Sequence, residues 1–316
     1  MRHINTRTRT LLVVLALAPI IAHSVATRAG VGTQASPMTR SVDVDGLSIR
    51  VRTAGLDDRK PGEAAIVFES GGSAPLETWD PILPAVARFA PVVAYDRAGT
   101  GQSAWDGLPP TPERVVTRLR RLLSELHVAP PYILVGHSWG GALARYFAGA
   151  HPETIAGILY IDPTDITQTT ADEIAAFQSI GAGAAEHDAF DRLMDQSMAG
   201  APAPIRAEGA VVMSLLRSDL ERRALPAAPR VATSVILAGK LPVFPPNLLP
   251  FDTKAYAKAT LESRITRLRG WVVDGGTFEV AASAGHFVHA DVPELVIAAI
   301  GHLVKIGSPG GARVQF

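Results

Sequence analysis

The 316-residue sequence predicts an α/β fold: a mainly parallel sheet covered by helices on both faces, with a helical insertion lying across one end. Strand-like apolar runs alternate with helix-compatible stretches along most of the chain. One long interval breaks the alternation, and a glycine-flanked serine sits where one apolar run gives way to a helix.

The alternation opens with Val42-Asp-Val44 and Leu47-Ser-Ile-Arg-Val51, in which apolar and polar residues alternate on either side of Asp45-Gly46, a hairpin signature. The next runs are Ala64–Phe68, Val92–Tyr95, Tyr132–Val135, Ile158–Ile161 and Val235–Ala238. Each is apolar throughout, which suits strands buried on both faces of a parallel sheet. Helix-compatible stretches at about 80–89, 111–127, 139–150, 253–268 and 291–305 lie between and after them. From 165 to 230 the chain is rich in Ala, Gly, Met and acidic residues at helical spacing. A structureless loop of that size is foreign to a compact domain, so a helical insertion over the strand ends is expected, with a peripheral helical decoration as its competitor.

The first 26 residues form a separate object. Arg2, Arg7 and Arg9 precede the apolar run Leu11–Ala22, and Ser24 and Ala26 supply a small-residue cleavage site. This reads as a signal peptide of an exported precursor. The run is short for a mature bilayer span, so no stable membrane span is expected after processing, and retention as an N-terminal anchor is the alternative. A linker is expected over 27–40, the sheet-and-helix core over 41–164 and 231–306, the insertion over 165–230, and a frayed tail over 307–316.

Thirty basic and thirty acidic side chains cancel, and removing the first 26 residues leaves 27 against 30. No global field therefore favours nucleic acid, and a small molecule is the expected partner. The absence of cysteine rules out disulfides, thiol catalysis and cysteine-based zinc or iron–sulfur sites, so stability must come from the core.

Gly136-His137-Ser138-Trp139-Gly140 follows the apolar run Pro131–Val135 and opens Ala142–Ala148, placing a serine on a strand-to-helix turn. The pattern is the G-x-S-x-G nucleophile elbow, in which the glycines leave room for a sharp turn that a Cβ at 136 or 140 would crowd. A glycine pair at Gly71-Gly72, Asp96-Arg97-Ala-Gly-Thr-Gly-Gln-Ser103, the elbow, and Gly285-His286-Phe287 occur in that order along the chain. With these four signatures, residues 41–306 resemble the α/β-hydrolase family, serine esterase and lipase-like branch. The resemblance implies an eight-stranded α/β-hydrolase fold with a helical cap and no cofactor.

The resemblance also assigns roles. Ser138 is the expected nucleophile and His286 the base that takes its proton and returns it to the leaving group. Related proteins usually carry the acid after the seventh strand, where this chain reads Gly239-Lys-Leu-Pro242 with no carboxylate. Asp162, directly after the sixth strand, is the substitute; it precedes Pro163, so a turn-forming Asp-Pro is the competing reading, with Asp165 and then Asp252 as further candidates. Backbone N–H groups of Gly72 and Trp139 are the expected oxyanion hole. The family's His-Gly pair reads Ser70-Gly71 here, which leaves open what supports that loop. Asp96-Arg97 and its glycines read as scaffold, His289 as packing beneath the site, and Trp79, Phe190, Met194, Met198 and Met213 as core or an apolar acyl pocket. His286, His289 and Asp291 match no zinc spacing.

The implied function is an exported serine hydrolase acting on a small or medium uncharged ester through an acyl-enzyme. A serine at 138 argues against the haloalkane dehalogenase and epoxide hydrolase relatives, which need an aspartate there. Amide, peptide or carbon–carbon bond hydrolysis on the same machinery, and a noncatalytic binding protein on the same fold, are the alternatives.

Overall fold

The computed structural model describes residues 36–245 and 247–307. The apolar run read as a signal peptide, most of the 27–40 linker and the tail past 307 lie outside them. Eight strands form one sheet: β1 (Met38–Val44), β2 (Leu47–Ala54), β3 (Ala65–Glu69), β4 (Val92–Tyr95), β5 (Tyr132–His137), β6 (Ile155–Ile161), β7 (Ala232–Ala238) and β8 (Phe278–Ala281). Their order is β1-β2-β4-β3-β5-β6-β7-β8, antiparallel from β1 through β4 and parallel across the rest. The first strand begins at Met38, inside the segment expected to be linker, because Met38–Arg40 pair with Val51–Thr53. Asp45 and Gly46 adopt φ of 55° and 77°, the left-handed pair that a two-residue hairpin turn requires.

Burial on both faces explains the uninterrupted apolar runs. In β3, Ala65 and Val67 face one layer and Ile66 and Phe68 the other, and all are fully buried. The first layer holds α2 (Pro112–Glu125), α3 (Trp139–Ala150) and α8 (Thr253–Arg269), through Leu119, Leu122, Phe147 and Leu268. The second holds the four-residue α1 (Leu83–Val86) and α10 (Pro293–Gly307), through Leu83, Val86, Val296, Ile300 and Leu303. Helix starts follow capping chemistry. Thr111 accepts from the Arg114 amide before Pro112, and Asp252 accepts from Lys254 and Ala255.

Proline accounts for two departures from the expected helices. The 80–89 stretch contains Pro81 and Pro84 and, after a short 3-10 turn at Leu76–Trp79, yields α1 alone. The 291–305 stretch is preceded by α9 (Val288–Asp291), and Pro293 restarts the chain as α10. The 165–230 interval folds as α4 (Thr170–Ser179), α5 (Ala184–Met198), α6 (Ala203–Arg217) and α7 (Asp219–Arg223). Among the described residues, no helix is long and apolar enough to cross a membrane.

A parallel sheet sends its strand ends to one edge, so the segments after β3, β4, β5, β6 and β8 meet there: Ser70–Ser73, Asp96–Arg97, Ser138, Asp162 and His286. Close approach of the β3 and β5 ends depends on Gly140, since a Cβ there would stand 2.0 Å from the Glu69 carbonyl oxygen. Gly140→Ala is therefore expected to destabilise the protein by about 3 kcal/mol or more in urea unfolding. Gly200→Ala, with nothing within 4 Å of the added carbon, should stay within about 0.5 kcal/mol of the parent.

Candidate active site

Ser138 occupies the turn between β5 and α3 with φ 53° and ψ −122°, a conformation that L-residues adopt at a cost of roughly 1–3 kcal/mol. The surroundings hold it there. Its amide donates to Ile161 O at 3.1 Å, and its carbonyl accepts from Gly141 and Thr164, each at 2.9 Å. The flanking glycines are required: a Cβ on Gly136 would lie 2.5 Å from Gly140 O. These bonds also join the elbow to the segment after β6, so residues 138 and 162–164 form one structural unit.

Asp162 sits at φ 38°, again in the left-handed region, with its amide bonded to Ile236 O of the neighbouring β7 at 2.7 Å. Its carboxylate is buried and fully engaged. Oδ2 accepts from His286 Nδ1 at 2.6 Å, while Oδ1 accepts from Arg264 Nη1 at 2.9 Å and the Ala238 amide at 3.3 Å. Burial by itself would raise the carboxyl, but the Arg264 guanidinium, His286 and the Ala238 amide outweigh it and hold Asp162 below the usual carboxylate range. The bonds from β7 and His286 show how a carboxylate placed directly after β6 reaches the histidine loop. The two strands are neighbours, and the side chain reaches across.

His286 is held at two points. Its ring meets Asp162, and its carbonyl accepts from His137 Nε2 at 2.8 Å, with the two rings 4.6 Å apart. Because His137 immediately precedes Ser138, the histidine loop is tied to the elbow through an adjacent residue. Nδ1 is committed to the carboxylate, which leaves Nε2, without a hydrogen-bond partner among the described residues, as the nitrogen able to exchange a proton.

The Gly71-Gly72 loop closes over the elbow. A Cβ on Gly71 would lie 3.0 Å from His137 Nδ1 and 3.3 Å from Ser138 Cβ, and one on Gly72 would stand 4.0 Å from Trp139 Cβ. Gly72 is exposed, and neither its amide nor that of Trp139, the first residue of α3, finds an acceptor among the described residues. Two free amides therefore lie together beside Ser138. The loop that lacks the His-Gly histidine is supported from β4: Arg97 donates to Ser70 O and Gly71 O, each at 2.7 Å, to Glu69 Oε1 at 2.9 Å, and to Glu208 Oε1 at 2.8 Å. The Asp96 side chain caps the same region by accepting from Leu76 and Gln102 amides. The scaffold reading of Asp96-Arg97 thus acquires a specific task.

The remaining candidates lie elsewhere. Asp165 accepts from Arg267 and from Thr167 of its own turn, and Asp252 caps α8; neither bonds His286. Asp291 accepts from the Gly285 amide at 2.7 Å. Trp79 is wholly buried core, Phe190 packs with Phe177, Phe251 and Tyr256, and Met194, Met198 and Met213 line a groove of about 450 Å³ between α5 and α6 that Ser138 does not line. Sequence reasoning missed His137, Arg264 and Glu208. His137 is the free position of a motif, and the two others lie on helices whose facing partners no local pattern specifies.

His289 packs beneath the histidine loop, wholly buried, 3.1 Å from the Thr78 hydroxyl and against the rings of Trp79 and His137. Burial, helped by His286, lowers it to about 3. A histidine that stays neutral when folded but protonates near 6.5 when unfolded makes the folded state lose stability as pH falls from about 6.5 toward 3. The depressed Asp162 adds its own loss only further down, as pH falls through its folded value. The melting temperature should drop steadily over the first window, and His289→Gln should flatten that slope; parallel profiles would contradict the assignment.

Residues 66–299 match the model of the alpha/beta hydrolase family. Lipase LipV of Mycobacterium tuberculosis is 38% identical over 73 residues, 23% of this chain and 27% of that protein. A haloalkane dehalogenase of Sphingobium indicum is 30% identical over 146 residues, 42% of this chain and 48% of that protein. The chain thus spans under half the length of these curated relatives. The solved structure of a serine hydrolase involved in carbazole degradation, the CarC enzyme, is similar with a TM-score of 0.53 at 20% identity, covering 86% of this chain and 100% of that one. The family match covers the strands from β3 to β8 and the helices between them, and the chain belongs to the α/β-hydrolase family.

Proposed function

We propose that the protein is an exported serine hydrolase that cleaves a small or medium uncharged ester through an acyl-enzyme. The observation that carries this reading is the 2.6 Å bond between His286 and the buried Asp162 carboxylate, on a loop tied through His137 to the elbow bearing Ser138. In the proposed reaction Ser138 Oγ attacks the ester carbonyl carbon while His286 Nε2 accepts its proton. Asp162 holds Nδ1–H and stabilises the imidazolium. The negative charge moves onto the carbonyl oxygen, where the Gly72 and Trp139 amides and the N-terminus of α3 meet it. Collapse of the intermediate expels the alkoxide, which takes the proton from Nε2. Water, activated by the same imidazole, then releases the acid and restores the serine.

The nucleophile type favours this chemistry over that of a dehalogenase-like relative, whose displacement of halide needs a carboxylate at the position of Ser138. Export is supported by the arginine-flanked apolar run Leu11–Ala22 and the small residues after it.

A panel of p-nitrophenyl esters of graded acyl length, together with a fluorophosphonate probe, tests the reading. The probe should label Ser138, and Ser138→Ala should lose both labelling and hydrolysis by about 10³-fold or more. Folded protein that neither labels nor turns over any ester would instead indicate a binding protein. Asp162→Asn should lower turnover by about 10²- to 10⁴-fold, whereas Asp165→Asn, which removes only contacts to Arg267 and its own turn, should remain near the parent. Equal turnover of Asp162→Asn and the parent would refute the acid assignment.

A further inference from the structure

Glu208 is a carboxylate carried by the insertion into the core of the site. It lies on α6, is 2% exposed, and uses both oxygens: Oε1 accepts from Arg97 Nε at 2.8 Å, and Oε2 accepts from the Ser73 amide at 2.5 Å. Glu69, also buried, holds the other side of Arg97 and accepts from the Tyr95 hydroxyl at 2.5 Å. The same helix seats on the loop after β4, where a Cβ on Gly99 would lie 2.6 Å from Pro204 Cβ. The insertion therefore touches both loops that border Gly72.

Peptide geometry turns these contacts into a constraint on one amide. The Gly71 carbonyl and the Gly72 N–H belong to a single planar trans peptide, so they point in opposite directions. Arg97 Nη2 holds that carbonyl at 2.7 Å, which fixes the Gly72 N–H away from the guanidinium. The next amide, Ser73, is drawn the other way by Glu208, so the change of direction falls at Gly72, between the two peptides. Two successive peptides are thus pinned in alternating senses, and the carboxylate that pins the second also fixes the guanidinium that pins the first.

We propose that Glu208 is a positioning residue that sets the direction of the Gly72 N–H, so that the oxyanion site is complete only with the insertion docked. It touches no reacting atom; it acts through Arg97 and the Gly71–Ser73 backbone. The inference rests on the hydrolase reading above. It predicts that damage at Glu208 weakens binding of the tetrahedral state more than binding of the ester.

The test compares Glu208→Ala and the isosteric Glu208→Gln with the full-length parent in three readouts: kcat and KM for a p-nitrophenyl ester, the rate of fluorophosphonate labelling, and the affinity for an alkylboronic acid that forms a tetrahedral adduct. Glu208→Ala should lower kcat, labelling rate and boronate affinity together by about 10- to 100-fold while KM moves by less than about threefold. Glu208→Gln should recover part of the loss, because its carbonyl can still accept from Ser73. If Glu208→Ala fails to fold, Glu208→Gln decides, with a reduced kcat and boronate affinity at parental KM as the expected result. Unchanged kcat and labelling with only a lower melting temperature would mean that Glu208 merely docks the insertion, and would overturn the proposal while leaving the hydrolase reading standing. A parent protein that the probe does not label at Ser138 overturns that reading and this inference with it.

Discussion

The bond between His286 and the buried Asp162 carboxylate constrains everything around it. An isolated carboxylate at that depth would be pushed toward its neutral form, and a neutral acid could not hold an imidazolium. Arg264 resolves the conflict from α8 by donating to Oδ1 and to the Pro163 carbonyl, at 2.9 and 2.8 Å, while leaving Oδ2 to the histidine. The guanidinium has an opposing effect as well, since it shares the negative charge that His286 would otherwise receive. The arrangement gives up some of the carboxylate's basicity and keeps it ionised and oriented. Removing Arg264 would leave the buried Asp162 charge to His286 and the Ala238 amide alone.

Strained backbone marks the same place. Ser73, Ser138 and Asp162 are non-glycine residues with positive φ, and each lies in a segment following a strand end at the site. Elsewhere such residues serve turns, as Asp45 does in the first hairpin. Each strained residue at the site is fixed by a hydrogen bond to another element: Ser138 to Ile161 of β6, Asp162 to Ile236 of β7, Ser73 to Glu208 of α6. The local cost is sustained by the packed sheet, because rigid neighbours on both faces prevent relaxation.

The fold was legible because its signals are local. Apolar runs such as Ile66–Phe68, the Asp45-Gly46 turn and the glycines about Ser138 each act within a few residues, and the fully buried strand pattern makes a parallel sheet the economical reading. Short helices and boundaries were less so, since Pro84 and Pro293 interrupt patterns that periodicity reads as continuous. At the site, residues inside motifs could be named from sequence, whereas Arg264 and Glu208 could not. Both reach their partners across about 100 residues of chain, 102 from Arg264 to Asp162 and 111 from Glu208 to Arg97. Nothing in α6 or α8 considered by itself distinguishes a residue that docks against a loop from one that faces water.

The central claim is that the Ser138 hydroxyl becomes covalently acylated during turnover. Rapid mixing of the protein with a p-nitrophenyl ester, followed by acid quench and peptide mass analysis, tests it most directly. The account predicts an early burst of p-nitrophenol approaching one equivalent per protein, with the acyl mass on the peptide that contains Ser138. Ester turnover with no burst and no acyl mass at that serine, or with the adduct on another residue, would contradict it.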